Sequence, residues 1–157
     1  MRLNIIAIGK QKKHATYGLT QTYFKRLPFA GEIIEIESSQ AAGSKRALEE
    51  SDKIKNTLSS KVIKGHRFIT LDKSGSDTSS EQLAEIIREW RNNGVPGCYF
   101  AIGGADGHTK SLLNSANLCL KFGSATWPHL LFRAMLAEQL YRAEMILQGH
   151  PYHKKHS

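Results

Sequence analysis

The chain has 157 residues, a formal net charge of +8 and a pI near 9.6. That length suits a single domain, residues 1–157, able to bury a core without staples. No apolar run approaches the ~20 residues of a membrane span, and Met1-Arg2 opens directly onto a strand with no signal segment, so a membrane protein is not expected. The two cysteines, Cys98 and Cys119, lie in apolar runs without CxxC spacing. They read as core residues in a reducing, cytoplasmic setting. The basic excess gathers into Lys10, Lys12, Lys13 and His14, then Lys61, Lys64, His66 and Arg67, then Lys154, Lys155 and His156. A polyanionic partner, nucleic acid above all, suits such a surface.

Leu3 to Ile8 is a continuous apolar run closed by Gly9, the pattern of a buried parallel strand. Ala15 to Arg26 predicts a helix with Tyr17, Leu19, Tyr23 and Phe24 inward. Glu32 to Glu37 alternates apolar and acidic residues, as a less covered strand near a sheet edge would. Gly43 to about Ser59 is a charged helix whose Lys45, Arg46, Glu49, Glu50, Asp52, Lys53 and Lys55 are expected in solvent. Arg67 to Leu71 is a strand followed by a polar loop, Asp72 to Ser76. Ser79 and Gln82 have capping-box spacing and open a helix over Glu81 to Asn92, stopped by Gly94 and Pro96. Cys98 to Ile102 is the next strand and breaks at Gly103-Gly104. Thr109 begins a short helix, and Leu118 to Phe122 is the last strand.

The final helix enters at Pro128, which suits a first turn that has no use for its missing N–H. It runs to about Gln148, with Gly149 as left-handed cap and Pro151 beyond. It is apolar almost all round, from Leu130 through Leu147, so burial on more than one side is expected, the second side against another copy of the chain. Five strands alternating with helices predict an α/β fold: a five-to-six-stranded, mostly parallel sheet with helices on both faces.

In such sheets ligands bind beyond the carboxyl ends of the strands. Three ends stand out: Leu71 with its polar loop, Gly103-Gly104, and the small-residue segment Phe122 to Trp127, where a flat ligand can approach the main chain. GGxxG (Gly103, Gly104, Gly107) is not the dinucleotide fingerprint, and neither a P-loop nor a GxSxG elbow is present. None of the seven histidines has a metal-ligand spacing, so no metal is expected. Glu138 and Arg142, four apart, are placed for an ion pair. The tail His150 to Lys154 sets an aromatic ring, an imidazole and an ammonium side by side, suited to stacking on a base and contacting phosphate.

Taken together, Leu71-Asp72, Ile102-Gly103-Gly104 with Asp106-Gly107, Ser124 to Thr126 before Pro128-His129, Leu140 to Ala143, and His150 to Lys154 resemble the RlmH family. These are SPOUT-class methyltransferases of 23S ribosomal RNA, and the likeness spans the whole chain. The resemblance implies S-adenosyl-L-methionine as cofactor and N3 of a pseudouridine as target. It also implies action on the assembled ribosome, a homodimer, and a C-terminal trefoil knot. Cofactor contacts are implied at Leu71, Gly103, Gly104, Phe122, Gly123, Ser124, Ala125, Thr126 and Trp127. His153, Glu138 and, through the partner subunit, His129 are the candidates for assisting loss of the N3 proton, His153 first. Glu138 is better suited to holding Arg142, which with Tyr152 would orient the base or its phosphate. Two alternatives share part of the pattern: a non-catalytic ribosome- or RNA-binding module of this fold, and a flavodoxin-like flavin domain. The loop Gly9 to Lys13 is too poor in Ser, Thr and Gly to favour a flavin phosphate.

Overall fold

A computed structural model describes residues 1–61 and 64–154. The elements are β1 (Arg2–Ile8), α1 (Tyr17–Lys25), β2 (Ala30–Ile36), α2 (Gly43–Lys61), β3 (Arg67–Asp77), α3 (Ser80–Asn92), β4 (Gly97–Ile102), α4 (Lys110–Ser115), β5 (Leu118–Lys121) and α5 (His129–Leu147). The strands form one sheet in the order β2-β1-β4-β3-β5, and every pairing is parallel. The expected α/β architecture is present, with five strands and with β2 at an edge. Lys155 and His156 of the third basic group lie outside the described residues.

Side-chain alternation along the strands divides the core in two. Leu3, Ile5 and Ala7 of β1 and Cys98, Phe100 and Ile102 of β4 face α1, α3 and α5. Ile6, Ile8, Tyr99 and Ala101 face the opposite way, where Ile54 and Leu58 of α2 and Leu112 of α4 close the layer. Cys98 is a core residue, its thiol pushed up to about 12 by burial. No helix among the described residues is long and apolar enough to cross a membrane.

The capping box is present: Ser79 Oγ accepts from Gln82 N–H, and Gln82 Oε1 accepts from Ser79 N–H. Gly94 and Gly149 take left-handed φ of 72° and 65° at the ends of α3 and α5. Pro128 is the cap residue itself rather than the first helical residue.

Three expectations are corrected. Leu19 is 49% exposed, and α1 buries Thr20 and Phe24 instead, because α1 turns that stripe toward α5. Glu50, expected in solvent, is buried at 2% exposure, because α2 lays it against the end of the sheet. The polar loop expected over Asp72 to Ser76 is a bulge within β3. The strand resumes pairing, so that Leu120 lies opposite both Leu71 and Ser76. Gly75 makes this possible, since a Cβ there would stand 2.6 Å from the Leu120 carbonyl carbon. Helix α5 packs between α1 and α3 while Leu131 and Met135 stay partly exposed, and two of its fully covered residues, Arg133 and Glu144, are charged.

Candidate active site

Because all the strands run the same way, their carboxyl ends lie together. A cavity of about 690 Å³ opens there, the size of a small-molecule site. Its wall includes Leu71 from β3, Gly103 and Gly104 after β4, and Phe122, Gly123, Ala125, Thr126 and Trp127 after β5. Eight of the nine positions expected to contact a cofactor therefore face one space. Ser124 belongs to the same segment but does not line it. His129, from the first turn of α5, completes that side.

Local chemistry fixes each part of the wall. Gly123 has φ of 80°, and its N–H donates to Asp77 Oδ1 at 2.9 Å, pinning the last loop to β3. Phe122 packs on Phe132 with ring centroids 5.5 Å apart. A Cβ on Gly103 would approach the Gly107 carbonyl carbon to 3.2 Å, so a side chain there would press on the Gly103–Gly107 turn. Asp72 Oδ1 accepts from Ser74 N–H and Oγ, which orients that carboxylate at the cavity wall.

The loop after β1 is tied to α5. Gln11 Nε2 donates to the Leu130 carbonyl at 2.9 Å and Thr16 Oγ1 to the same carbonyl at 3.0 Å. Arg133 donates to the carbonyls of Ile8 and Gly9 at 3.0 and 2.8 Å. These bonds hold His129 beside Gly9, where a Cβ would meet its Nε2 at 3.3 Å. Burial, and after it the Arg133 charge, lowers the His129 pKa, so its ring is neutral at physiological pH. His108, also in the wall, is lowered mainly by burial.

The other predicted side chains form a second cluster. Arg142 donates from Nε and Nη2 to Glu138 Oε1 at 2.9 and 2.5 Å, and Tyr152 O–H donates to the same oxygen at 3.0 Å. Gln139 Nε2 donates to Glu138 Oε2 at 2.8 Å. Arg142 lies over the Tyr152 ring, 4.9 Å from its centroid. Burial, then hydrogen bonds with Tyr23 and Glu138, raises the Tyr152 pKa, so the phenol stays protonated. His153 Nδ1 accepts from Arg142 Nη1 at 3.4 Å, and Nε2 lies 3.0 Å from Glu81 Oε1. Glu138 and Glu81 also border an apolar groove of about 620 Å³ with Leu19, Leu131 and Met135, which shares Phe122 and Gly123 with the cavity. Within this chain, then, His129 stands at the cavity while Glu138, Arg142, Tyr152 and His153 stand together outside its wall.

Sequence reasoning missed Glu50 and Arg133 as buried charges and His108 as a wall residue, whereas Asp72 and Lys73 belong to the polar loop it placed at that strand end. The basic groups separate by the direction of the strands. Lys10 to His14 follow β1 at the cavity end, whereas Lys64 to Arg67 precede β3 at the opposite end. Among the described residues, no group of three or more His, Cys, Asp or Glu is arranged to hold a metal ion.

The model of the family described as "Predicted SPOUT methyltransferase" matches residues 1–153. Ribosomal RNA large subunit methyltransferase H of Rhodopseudomonas palustris (strain BisB5) is 42% identical over 165 residues, covering 98% of this chain and 99% of that protein. The protein of the same name from Paramagnetospirillum magneticum is 41% identical over 155 residues, and that from Maricaulis maris is 40% identical over 155 residues, with the same two coverages. A match over nearly the full length, with the cavity at the strand ends beside it, places this chain in the SPOUT methyltransferase family.

Proposed function

We propose that the protein transfers a methyl group from S-adenosyl-L-methionine to N3 of a pseudouridine in 23S ribosomal RNA, acting as a homodimer on the assembled ribosome. The observation that carries the cofactor is the convergence of Leu71, Gly103-Gly104 and the 122–127 segment on one cavity. Its volume suits a nucleoside-sized ligand, and its glycines let main-chain groups reach an adenine edge. The relatives' names carry the RNA substrate, and the basic loop Lys10 to His14 at the cavity end supports it. The trefoil knot belongs to the same reading.

The cofactor's sulfonium supplies the activated methyl group. What remains for the protein is to hold the nucleobase in line and receive the imide proton. His129, neutral and at the cavity wall, is one acceptor; His153 is the other and the first choice for contact with the base. Glu138, with both oxygens occupied, holds Arg142 rather than moving a proton. Arg142 and Tyr152 orient the base or its phosphate. The apolar groove of Leu19, Leu131 and Met135 supports a second copy as its occupant. In such a dimer the tail cluster of one subunit meets the cavity of the other, which joins His153 and His129 in one site.

The test is methyl transfer from labelled S-adenosyl-L-methionine to ribosomes lacking the modification, with free large-subunit RNA alongside. Label on a pseudouridine of the ribosome and little on free RNA is the expected result. Cofactor bound with no label would redirect the search to another RNA, and neither label nor binding would favour a non-catalytic RNA-binding module.

A further inference from the structure

Glu50 is a carboxylate at 2% exposure whose surroundings do not balance it. Oε1 accepts from Ser39 N–H at 3.0 Å, while Oε2 is buried with no hydrogen-bond partner. No ion pair among the described residues engages it. A Cβ on Gly104 would stand 2.5 Å from Oε2 and 3.2 Å from Ile8 Cγ2. The carboxylate therefore backs onto the main chain of a residue that lines the cavity. This is also where the sheet order reverses: β1 continues outward to β2 and β4 outward to β3. Open parallel sheets bind ligands at that point.

An isolated buried carboxylate is strongly disfavoured unless a cation or several donors compensate it. The bond from Ser39 does not explain the charge, since a glutamine oxygen would accept it equally well. Nearby ionisable groups do not explain it either. His129 interacts with Glu50, but burial keeps that ring neutral. Asp106 is paired with Arg46 at 3.2 Å, Asp72 is held by Ser74, and Lys73 stands exposed in the wall. A cation delivered by the ligand would complete the arrangement.

We propose that Glu50 is a positioning residue supplying the buried counter-charge to a sulfonium methyl donor at the Gly103-Gly104 wall, so that the cavity favours the charged donor over its neutral thioether product. This rests on the cavity being the S-adenosyl-L-methionine site. When the methyl leaves, the S–CH3 bond electrons return to sulfur, the positive charge disappears, and the attraction to Glu50 goes with it. The contact thus favours donor entry and product release.

The experiment is calorimetric titration of the full chain with S-adenosyl-L-methionine and with S-adenosylhomocysteine, using wild type and Glu50→Gln, and thermal unfolding of both without ligand. The variant is expected to bind the sulfonium on the order of tenfold more weakly, a charge pair across a partly screened wall, and the thioether within about threefold of wild type. Its unliganded melting temperature should not fall, since the Ser39 bond is kept. Equal weakening of both ligands, or of neither, overturns the proposal. Should Glu50→Gln not fold, Glu50→Asp, which withdraws the charge by one methylene, is expected to reduce the discrimination in the same direction; unchanged discrimination overturns it. A wild-type protein binding neither ligand fails one step earlier, overturning the cofactor reading and this inference together.

Discussion

Arg133 on the last helix and Glu35 on the edge strand are 98 positions apart in the chain, and their side chains meet at 2.6 Å. Arg133 is fully buried, and its Nη2 donates to the carbonyls of Ile8 and Gly9. Glu35 in turn accepts from Gln11 N–H at 2.9 Å. One guanidinium thus joins β1, β2 and α5 just behind His129.

Arg133→Met is expected to destabilise the fold by about 1–3 kcal/mol, since it removes the donor to the Ile8 and Gly9 carbonyls while exposed Glu35 keeps Gln11 N–H. Arg133→Lys should recover only part, because an ammonium cannot present the same fork. Chemical denaturation of the three proteins measures this, and equal stability of the lysine variant and wild type would refute the role of the fork.

Gly75→Ala should cost roughly 3 kcal/mol, because its Cβ would press on main-chain atoms of β5 that cannot swing aside. Gly18→Ala in α1 meets no atom within 4 Å and should stabilise by about 0.5 kcal/mol. Melting temperatures moving in the same direction would contradict the bulge geometry.

Arg142→Ala should lower methyl transfer about a hundredfold while changing stability by less than about 1 kcal/mol, since the Glu138 pair is partly exposed. Single-turnover assays with ribosomes, run beside thermal melts, separate the two effects. A parallel loss of both would make the cluster a structural one.

Stability should decline as pH falls below about 6.5, the ordinary histidine value. His108 and His129 both have folded pKa values lowered by burial. Between those values and the unfolded one, the unfolded chain binds more protons, so stability rises with pH and is lost on acidification. His108→Leu should flatten the slope of melting temperature between pH 7 and 5, and an unchanged slope would exclude His108 as a source.

Replacing Lys10, Lys12 and Lys13 together by alanine should weaken ribosome binding and reduce its salt dependence. The same treatment of Lys61 and Lys64, at the far end of the sheet, should leave both nearly unchanged. Filter binding across a salt series distinguishes the two faces.

What the sequence made legible was local or periodic. The apolar run of β1, the Ser79–Gln82 box and Gly149 each announce themselves within a few residues, and the strand-end loops follow from the parallel order. Glu50 and Arg133 did not, because nothing local distinguishes a glutamate in a charged helix or an arginine in an apolar one. Their burial depends on partners at Ser39, Gly104, Ile8 and Glu35, which only the assembled sheet brings near. The Asp72–Ser76 bulge was missed for the opposite reason: its composition is that of a loop, and β5 recruits it into pairing.

The bonds from Arg133 to the end of β1 also order events during synthesis. The carbonyls of Ile8 and Gly9 emerge early, but their donor is made 125 and 124 residues later. Until α5 leaves the ribosome, Leu136, Ala137 and Leu140 are missing from the larger core layer. The native state therefore requires a late step that closes distant contacts. Stopped-flow refolding should show that step slowed by Arg133→Met, and an unchanged folding rate would place this closure after the barrier.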